Sequence, residues 1–417
     1  DELRVMVAAG CSFTMAPEVE TQMGHGLPIT GRLRDLGKAP SIGIDVESNI
    51  SSEMLWAARF ALQLQRGFDN QALNQAGEEA DAVTLYAREA LAWATIEGAR
   101  ALRMDPLDLR RRNVIDAAAF PYATPTGQTL DSGDYARLLE KVSSHTDYEL
   151  LRAQRDERRA AGEIVGLGLA LYIEPCGQGW ESADVVFCRN GRFKVVTGAS
   201  AQGQGRETAF AQIAADRLQI SPERIFVRHG DTADLSGGIG ALASRSTAIG
   251  GSAVVRACEA LRAQLTEIAA ELLQCDAELV TFSCEGIHAG LPDAQGISWE
   301  ALADHIAVES LEDPLKPLLT GSVVYHAEGE AWSSGCCLAF VSINPRTGEP
   351  SFEKLAWIDD AGKVVNPLLV RGQLVGGMAQ GLGEALMERV VYDDDGQLLT
   401  GSLMDYAVPR AVDVPPV

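Results

Sequence analysis

Apolar and polar positions change their period several times along the chain, and each change marks an element. Apolar residues recur at helical spacing over Leu27–Leu36, with Gly37 as a stop, and the run Ser41-Ile42-Gly43-Ile44-Asp45 predicts a short strand. A helix over Glu53–Arg66 follows, giving a βα rhythm, and a second long helix is expected from about Ala82 to Leu102. Asp105-Pro106 places a proline where it fits the first turn of a new helix running through Arg112. Pro121 to Asp134 is polar and breaker-rich, which reads as a connector.

Beyond the connector the pattern alternates differently. A charged helix over Tyr148–Ala161 precedes strands at Val165–Ile173, Ala183–Phe187 and Phe193–Val196, with Asn190-Gly191 as a tight hairpin turn between the last two. Helices over Glu207–Leu218 and Ser252–Leu273 are each preceded by glycine-rich sequence. Strands at Val323–His326, Cys337–Ile343 and Phe352–Ile358 lead to a helix over Pro367–Glu388 and a last hairpin over Asp395-Gly396. Hairpins beside long helices predict an α+β fold with mixed sheets.

Composition narrows the classes of function. With 417 residues, 46% apolar and 22% charged, the chain is long enough for two or three cores. No apolar run approaches the roughly 20 residues of a membrane span, and the start Asp1-Glu2-Leu3-Arg4 lacks a secretion-signal layout, so the cytoplasm is the expected compartment. A formal charge of −23 disfavours nucleic acid as a partner, and Arg110-Arg111-Arg112 reads as a solvated helix face. The eight cysteines show no C-x-x-C, and the six histidines no H-x-H or H-E-x-x-H, so an iron–sulfur or histidine-built metal site within this chain is not expected.

Three glycine-rich segments carry the candidate chemistry: Gly198-Ala199-Ser200-Ala201-Gln202-Gly203-Gln204-Gly205, Gly237-Gly238-Ile239-Gly240 with Ala243-Ser244-Arg245-Ser246-Thr247, and Gly376-Gly377-Met378-Ala379-Gln380-Gly381-Leu382-Gly383. Bare backbone and free amides before a helix suit an anion such as phosphate, and glutamine amides suit the edge of a fused heterocycle. None is a Walker loop or a dinucleotide G-x-G-x-x-G loop.

Their order carries a resemblance. Gly203-Gln204-Gly205-Arg206-Glu207-Thr208, Gly230-Asp231-Thr232, Ser244-Arg245-Ser246-Thr247, Asn366-Pro367, Gly372-Gln373 and Gly401-Ser402-Leu403-Met404-Asp405-Tyr406, together with the upstream Met104–Asn113 and Thr124-Pro125-Thr126-Gly127-Gln128, resemble the molybdenum hydroxylase large subunit of the xanthine dehydrogenase/aldehyde oxidase family. The resemblance runs from about Met104 to Val417 and implies a mixed-sheet molybdopterin-binding domain. It implies that Gly203 and Gln204 contact the pterin and the molybdenum ligands, that Ala243, Ser244, Ser246 and Thr247 hold the phosphate end, and that Gln380 hydrogen-bonds the pterin. Asp231, Asn366 and Tyr406 are implied as scaffold. The implied cofactor is molybdenum–molybdopterin, with the cytosine dinucleotide as one form, and the implied partners are separate iron–sulfur and FAD subunits. The family's catalytic glutamate is expected beyond Val417, so no catalytic residue is assigned, and Glu384 in Gly383-Glu384-Ala385-Leu386 is read as helical rather than catalytic.

The first part of the chain resembles something else. Ala16-Pro17-Glu18-Val19-Glu20, Met23–Pro28, Pro40–Asp45 and Trp93–Leu102 resemble the closing part of an amidohydrolase barrel of the chlorohydrolase/cytosine deaminase type. That resemblance implies a partial (β/α) barrel with Asp45 as an orphan metal ligand, since that family's histidine ligands are absent. Unpaired strand edges and exposed apolar surface around Ile42 and Ile44 are then expected. The expected division is 1–102 partial barrel, 103–160 helical connector and 161–417 molybdopterin-binding domain. The leading function is a molybdopterin-binding part of an oxidoreductase that hydroxylates an aldehyde or N-heterocycle. The alternatives are a metal-dependent amidohydrolase and a non-catalytic fusion fragment.

Overall fold

The computed structural model describes the chain apart from residues 1, 18–20, 22–27, 43–53, 79–84, 95–98, 100–101, 125–126, 236, 291–295, 308–314, 394 and 416–417. Two compact units emerge, Asp1–Val114 and Ile115–Val417.

In the first unit, α1 (Glu2–Ala8) precedes β1 (Thr14–Met15), α2 (Thr30–Asp35) and β2 (Ser41–Ile42). β1 and β2 pair in parallel, Thr14 with Ser41 and Met15 with Ile42, across the helical crossover that parallel strands require. This two-stranded pair is the only sheet of the unit among the described residues, and no barrel closes. Leu3, Met15 and Leu33 form one small core. A second gathers Ile42, Ala57, Ala58, Ala61, Leu62, Leu85, Ala90 and Trp93 on α3 (Met54–Ala76) and α4 (Ala87–Ala94).

One expectation is corrected here. Ile42 is not exposed: it keeps 7% of its surface, because the alanine face of α3 lets that helix approach β2 closely. Of the helix expected over Ala82–Leu102, the described residues include α4 and a helical Ala99, with a turn at Leu102–Arg103 where Arg103 takes φ +53°; residues 82–84, 95–98 and 100–101 lie outside the described residues. Ile44 and Asp45 lie outside the described residues. Asp105 then caps α5 (Pro106–Asn113), its carboxylate accepting from the Leu107 amide at 2.8 Å.

The second unit begins with the hairpin β3 (Tyr122–Ala123) and β4 (Thr129–Leu130), followed by α6 (Tyr135–Thr146) and α7 (Tyr148–Ala160). Only Asp147, left-handed at φ +55°, separates the two helices. They lie against a three-stranded antiparallel sheet of order β14 (Pro350–Asp360), β13 (Trp332–Ile343), β5 (Ile164–Pro175).

A four-stranded sheet holds the larger core. Its order is β12 (Pro317–His326), β6 (Trp180–Cys188), β7 (Phe193–Thr197), β8 (Ile225–His229), with β7 and β8 parallel and the other pairs antiparallel. α8 (Arg206–Leu218) and α9 (Gly251–Leu273) pack on it. α9 buries Val254, Ala257, Cys258, Leu261 and Leu265, a three-to-four spacing that turns one stripe inward. Phe187, Phe193 and Trp299 stack edge-on at the centre. A small sheet of β9 (Val280–Phe282), β10 (Gly286–Ala289) and β11 (Gly296–Ser298) adjoins α10 (Trp299–Ile306), and α11 (Pro367–Leu386) closes the series. Among the described residues no helix is long and apolar enough to cross a membrane.

Candidate cofactor site

The site is built from two chain reversals. β7 ends at Thr197, and Gly198–Gly205 lead into α8 with Gly203 at φ +101° and Gly205 at φ +74°, conformations that a side chain strains. Space is open where a Cβ on Gly203 would stand, so the main chain there is bare to a ligand. Gln204 is half-buried, its Oε1 accepting from the Gln202 amide. The second reversal connects β8 to α9. Ala243 and Ser244 are left-handed at φ +46° and +54°, and Ser246 and Thr247 lie in a single wide helical turn, Ser246–Gly250, that runs into α9.

These two segments meet. An added Cβ on Gly198 would lie 2.6 Å from the Cα of Gly238, an approach that only two glycines permit. Ser182 donates its hydroxyl to the Gly237 carbonyl. Beneath them Glu181, on β6, accepts from the Arg245 Nη1 at 2.8 Å and from the Gly240 amide at 3.1 Å. Arg245 also donates to the carbonyls of Trp180, Gly240 and Gln178 at 2.6, 3.0 and 3.2 Å. Each end of this ion pair is hydrogen-bonded, so the charges are held without water.

A second tie fixes the first loop. The Ala201 amide donates to His229 Nδ1 at 3.3 Å, which leaves the proton on Nε2 to donate to Glu207 at 2.8 Å. That hydrogen bond holds the Glu207 carboxyl below its usual range. Arg206, the first residue of α8, keeps 3% of its surface and lies 5.0 Å from the centre of the Phe210 ring. Its Nη1 has no hydrogen-bond partner.

α11 reaches the first loop with its opening turn: Leu369 packs where a Cβ on Gly205 would stand, and Asn366 donates to Gln212 at 2.9 Å while capping the helix. Gln380 is exposed, eleven residues beyond Leu369, or about 16 Å along the axis. The geometry therefore brings Gly203, Gln204, Ala243, Ser244, Ser246 and Thr247 into two joined loops, and no described contact links Gln380 to them. Asp231 accepts from the Ala233 amide at 2.9 Å and Tyr406 donates to Glu388 at 2.6 Å, each a local brace. Glu384 lies exposed on α11.

Glu181 and Arg206 are the residues that sequence reasoning passed over. A lone glutamate beside Ser182-Ala183-Asp184 reads as a strand rim, and an arginine at a helix start reads as solvated. The only signal was that Arg206 opens a helix whose preceding turn holds three glycines within eight residues.

A model of the molybdopterin cofactor-binding domain matches residues 141–415, which contain both loops, the Glu181–Arg245 pair and α11. The chain belongs to the molybdopterin cofactor-binding domain family. Among its relatives, the gamma subunit of the 6-hydroxypseudooxynicotine dehydrogenase complex of Paenarthrobacter nicotinovorans is 33% identical over 317 residues, covering 74% of this chain and 40% of the relative. The carbon monoxide dehydrogenase large chain of Hydrogenophaga pseudoflava is 32% identical over 337 residues, 76% of this chain and 41% of the relative. Among solved structures, a Cu,Mo-CO dehydrogenase superposes with a TM-score of 0.70 at 29% identity over 79% of this chain and 44% of that one. Quinoline 2-oxidoreductase from Pseudomonas putida 86 gives 0.68 at 30% identity over 79% and 43%. The chain thus spans about 40% of the length of the curated relatives it matches. This family member carries the molybdopterin fold in its second unit. For the hydrolytic alternative, Asp45 lies outside the described residues, and no group of three histidine, cysteine or acidic side chains among the described residues could hold a metal ion.

Proposed function

We propose that this chain forms the cofactor-holding part of a molybdenum hydroxylase large subunit, an oxidoreductase of the xanthine dehydrogenase/aldehyde oxidase type. The observation that carries the reading is the meeting of two glycine-rich loops, about 40 residues apart in sequence, within the stretch that matches the family. Gly203 presents bare main chain, Gln204 an amide that can donate and accept, and Ser244, Ser246 and Thr247 hydroxyls at a left-handed turn and helix start. Such groups fit a pterin edge on one side and a phosphate on the other. In this reading Gly203 and Gln204 bind the pterin near the metal, Ala243, Ser244, Ser246 and Thr247 bind the phosphate end, and Gln380 contributes from α11.

When bound, the molybdenum–molybdopterin cofactor, including its cytosine dinucleotide form, supplies the redox chemistry that adds a water-derived oxygen to an aldehyde or N-heterocycle. The protein's share is to orient the cofactor and exclude water, for which the fixed loops are suited. Electrons leave through an iron–sulfur subunit and an FAD subunit carried on separate chains in the cytoplasm.

The test is elemental and pterin analysis of the purified chain made in a host that synthesises the cofactor. Molybdenum and pterin in a one-to-one ratio near one per chain support the reading. A folded chain with neither overturns it.

A further inference from the structure

β7 and β8 run in parallel with Thr197 opposite His229, so both strands end at the same level and the side chain of His229 meets the chain as it leaves Thr197. The loop that follows is tied mostly to itself and to that strand. The Ala199 amide donates to the Thr197 hydroxyl, the Ser200 amide to the Gly198 carbonyl and the Gln202 amide to Gln204 Oε1. Among the described residues, the hydrogen bond that joins the tip of the loop, residues 200–203, to another element is that of Ala201 to His229. The other nitrogen of the same half-buried ring reaches Glu207 in the first turn of α8, so one imidazole holds the chain on both sides of Gly203 and Gln204.

The two contacts make opposite demands on the ring. An amide N–H can only donate, so Ala201 requires an unprotonated Nδ1 and with it a neutral ring. Glu207 favours the charged ring: the His229 hydrogen bond holds its carboxyl below the usual range, so it is ionised wherever a histidine titrates. When Nδ1 takes up a proton, two donors face each other across 3.3 Å while the contact with Glu207 becomes an ion pair. The ring stays with Glu207, and the Ala201 bond breaks. The other charged groups nearby are directed elsewhere. On α8 the Arg206 guanidinium lies over Phe210. β7 sets the uncharged Thr197 beside His229, and its Lys194 pairs with Asp234. On β8 itself Arg228 is held by Asp231 and Asp234.

We infer that His229 is a positioning residue for the first glycine-rich loop and acts as a proton-operated latch. Neutral, with its proton on Nε2, it fixes Ala201 and with it Gly203 and Gln204; protonated, it releases them. The consequence for the pterin rests on the cofactor-holding function proposed above, whereas the latch itself does not. The latched loop binds one proton fewer than the released one, so latching is complete above the range in which His229 titrates and is lost as pH falls through it. A ligand that needs the fixed loop is then held less tightly in acid, and by reciprocity its binding displaces the His229 titration to lower pH.

The test uses NMR on the full chain, free of cofactor and isotopically labelled at histidine, between about pH 8 and 5, which brackets the ordinary range of that side chain. Among the six histidines, the signal missing from His229→Asn belongs to His229. At the alkaline end it should show an unprotonated Nδ1 and a protonated Nε2, and at the acid end both should be protonated. Over the same range the protection of the Ala201 amide against hydrogen exchange, corrected for the intrinsic rate, should fall about three- to tenfold, as loss of one hydrogen bond predicts. Asparagine places an acceptor near the position of Nδ1 and cannot ionise, so in His229→Asn the protection should persist in acid. The opposite tautomer, a ring that stays neutral throughout, Ala201 protection that does not follow the ring, or the same fall in His229→Asn overturns the latch. If the asparagine variant does not fold, His229→Gln replaces it, and a fall in protection with pH there overturns the latch in the same way. Chain loaded with pterin should show the His229 titration displaced to lower pH and should release pterin in acid more readily than His229→Asn does; an undisplaced titration overturns the positioning role. The two readings fail separately. A chain that latches but never retains pterin overturns the function, whereas a chain that retains pterin with no change at Ala201 overturns the latch and leaves the function standing.

Discussion

Arg245 donates to Glu181 at 2.8 Å across 64 positions of sequence, and neither residue has appreciable contact with solvent. The pair links the start of β6 to the turn before α9, and those are the segments that set the distance between the two glycine-rich loops. Truncation of one partner should therefore be expensive. Arg245→Met leaves Glu181 buried and uncompensated, with an expected loss of about 3–5 kcal/mol. Arg245→Lys keeps the charge but cannot span four acceptors, so its loss should be clearly smaller. Urea unfolding of the two variants measures both, and equal losses would show that charge is not what holds the loops.

Gly198 tests the contact from the other side. An added methyl would meet Glu181 Oε1 at 2.5 Å and Gly238 Cα at 2.6 Å, so Gly198→Ala must part the loops or displace the carboxylate. Overpacking of this kind costs about 1–3 kcal/mol. The cofactor content of the folded fraction should fall with it. Gly203→Ala is the contrasting variant: it meets nothing and bears only the strain of φ +101°, so it should cost about 1 kcal/mol. Thermal unfolding with pterin analysis of the surviving protein separates the two, and a Gly198→Ala variant as stable as the parent would mean that the loops are not in contact.

The sequence was informative where a residue's neighbours in sequence are also its neighbours in space. The strand at Ala183–Phe187, the Asn190-Gly191 turn and the proline-led helix from Pro367 all follow local rules, and they stand where the pattern places them. α6 was hidden although Tyr135, Leu138, Leu139 and Val142 keep a helical stripe, because no proline or glycine marks the break at Asp147 and the polar stretch before it blurs the start. β8 is a five-residue strand whose last two positions are Arg228 and His229, too short and too polar at its end for a period to show. The glycine loops were legible because glycine itself is the signal. Glu181 was not, since a carboxylate becomes a buried partner only once β6 and the turn before α9 are brought together by the fold.

The cysteines should differ widely in reactivity. Burial pushes the Cys258 thiol up to about 12, so at neutral pH almost none of it is thiolate, the reactive form. Cys188 and Cys336 are also fully buried, whereas Cys284 is exposed. With a disulfide-exchange reagent on the folded chain, Cys284 should label first, and Cys188, Cys258 and Cys336 only after unfolding. Rapid labelling of Cys258 in the native chain would mean that α9 does not hold its packed face against the sheet.

Asp359 offers a test of pH dependence away from the loops. It sits at the end of β14 and accepts from the Tyr172 hydroxyl, which also accepts from Trp357 Nε1 at 3.2 Å. Burial raises the Asp359 pKa above its ordinary value of 3.8, more than the Tyr172 hydrogen bond lowers it, and the neighbouring Asp360 raises it further. The native state thus holds the proton more tightly than the unfolded state does. By linkage, the stability this gives is complete below about pH 3.8 and is lost as pH rises through the raised native value, so at neutral pH the ionised carboxyl is a net cost. Asp359→Asn keeps an oxygen acceptor for Tyr172 and cannot ionise. It should therefore be more stable than the parent at neutral pH, and the difference should vanish or reverse near pH 3. Denaturant midpoints measured across that range decide the matter: a variant less stable than the parent at neutral pH would show that the Asp359 charge, and not only its oxygen, holds Tyr172 on the sheet.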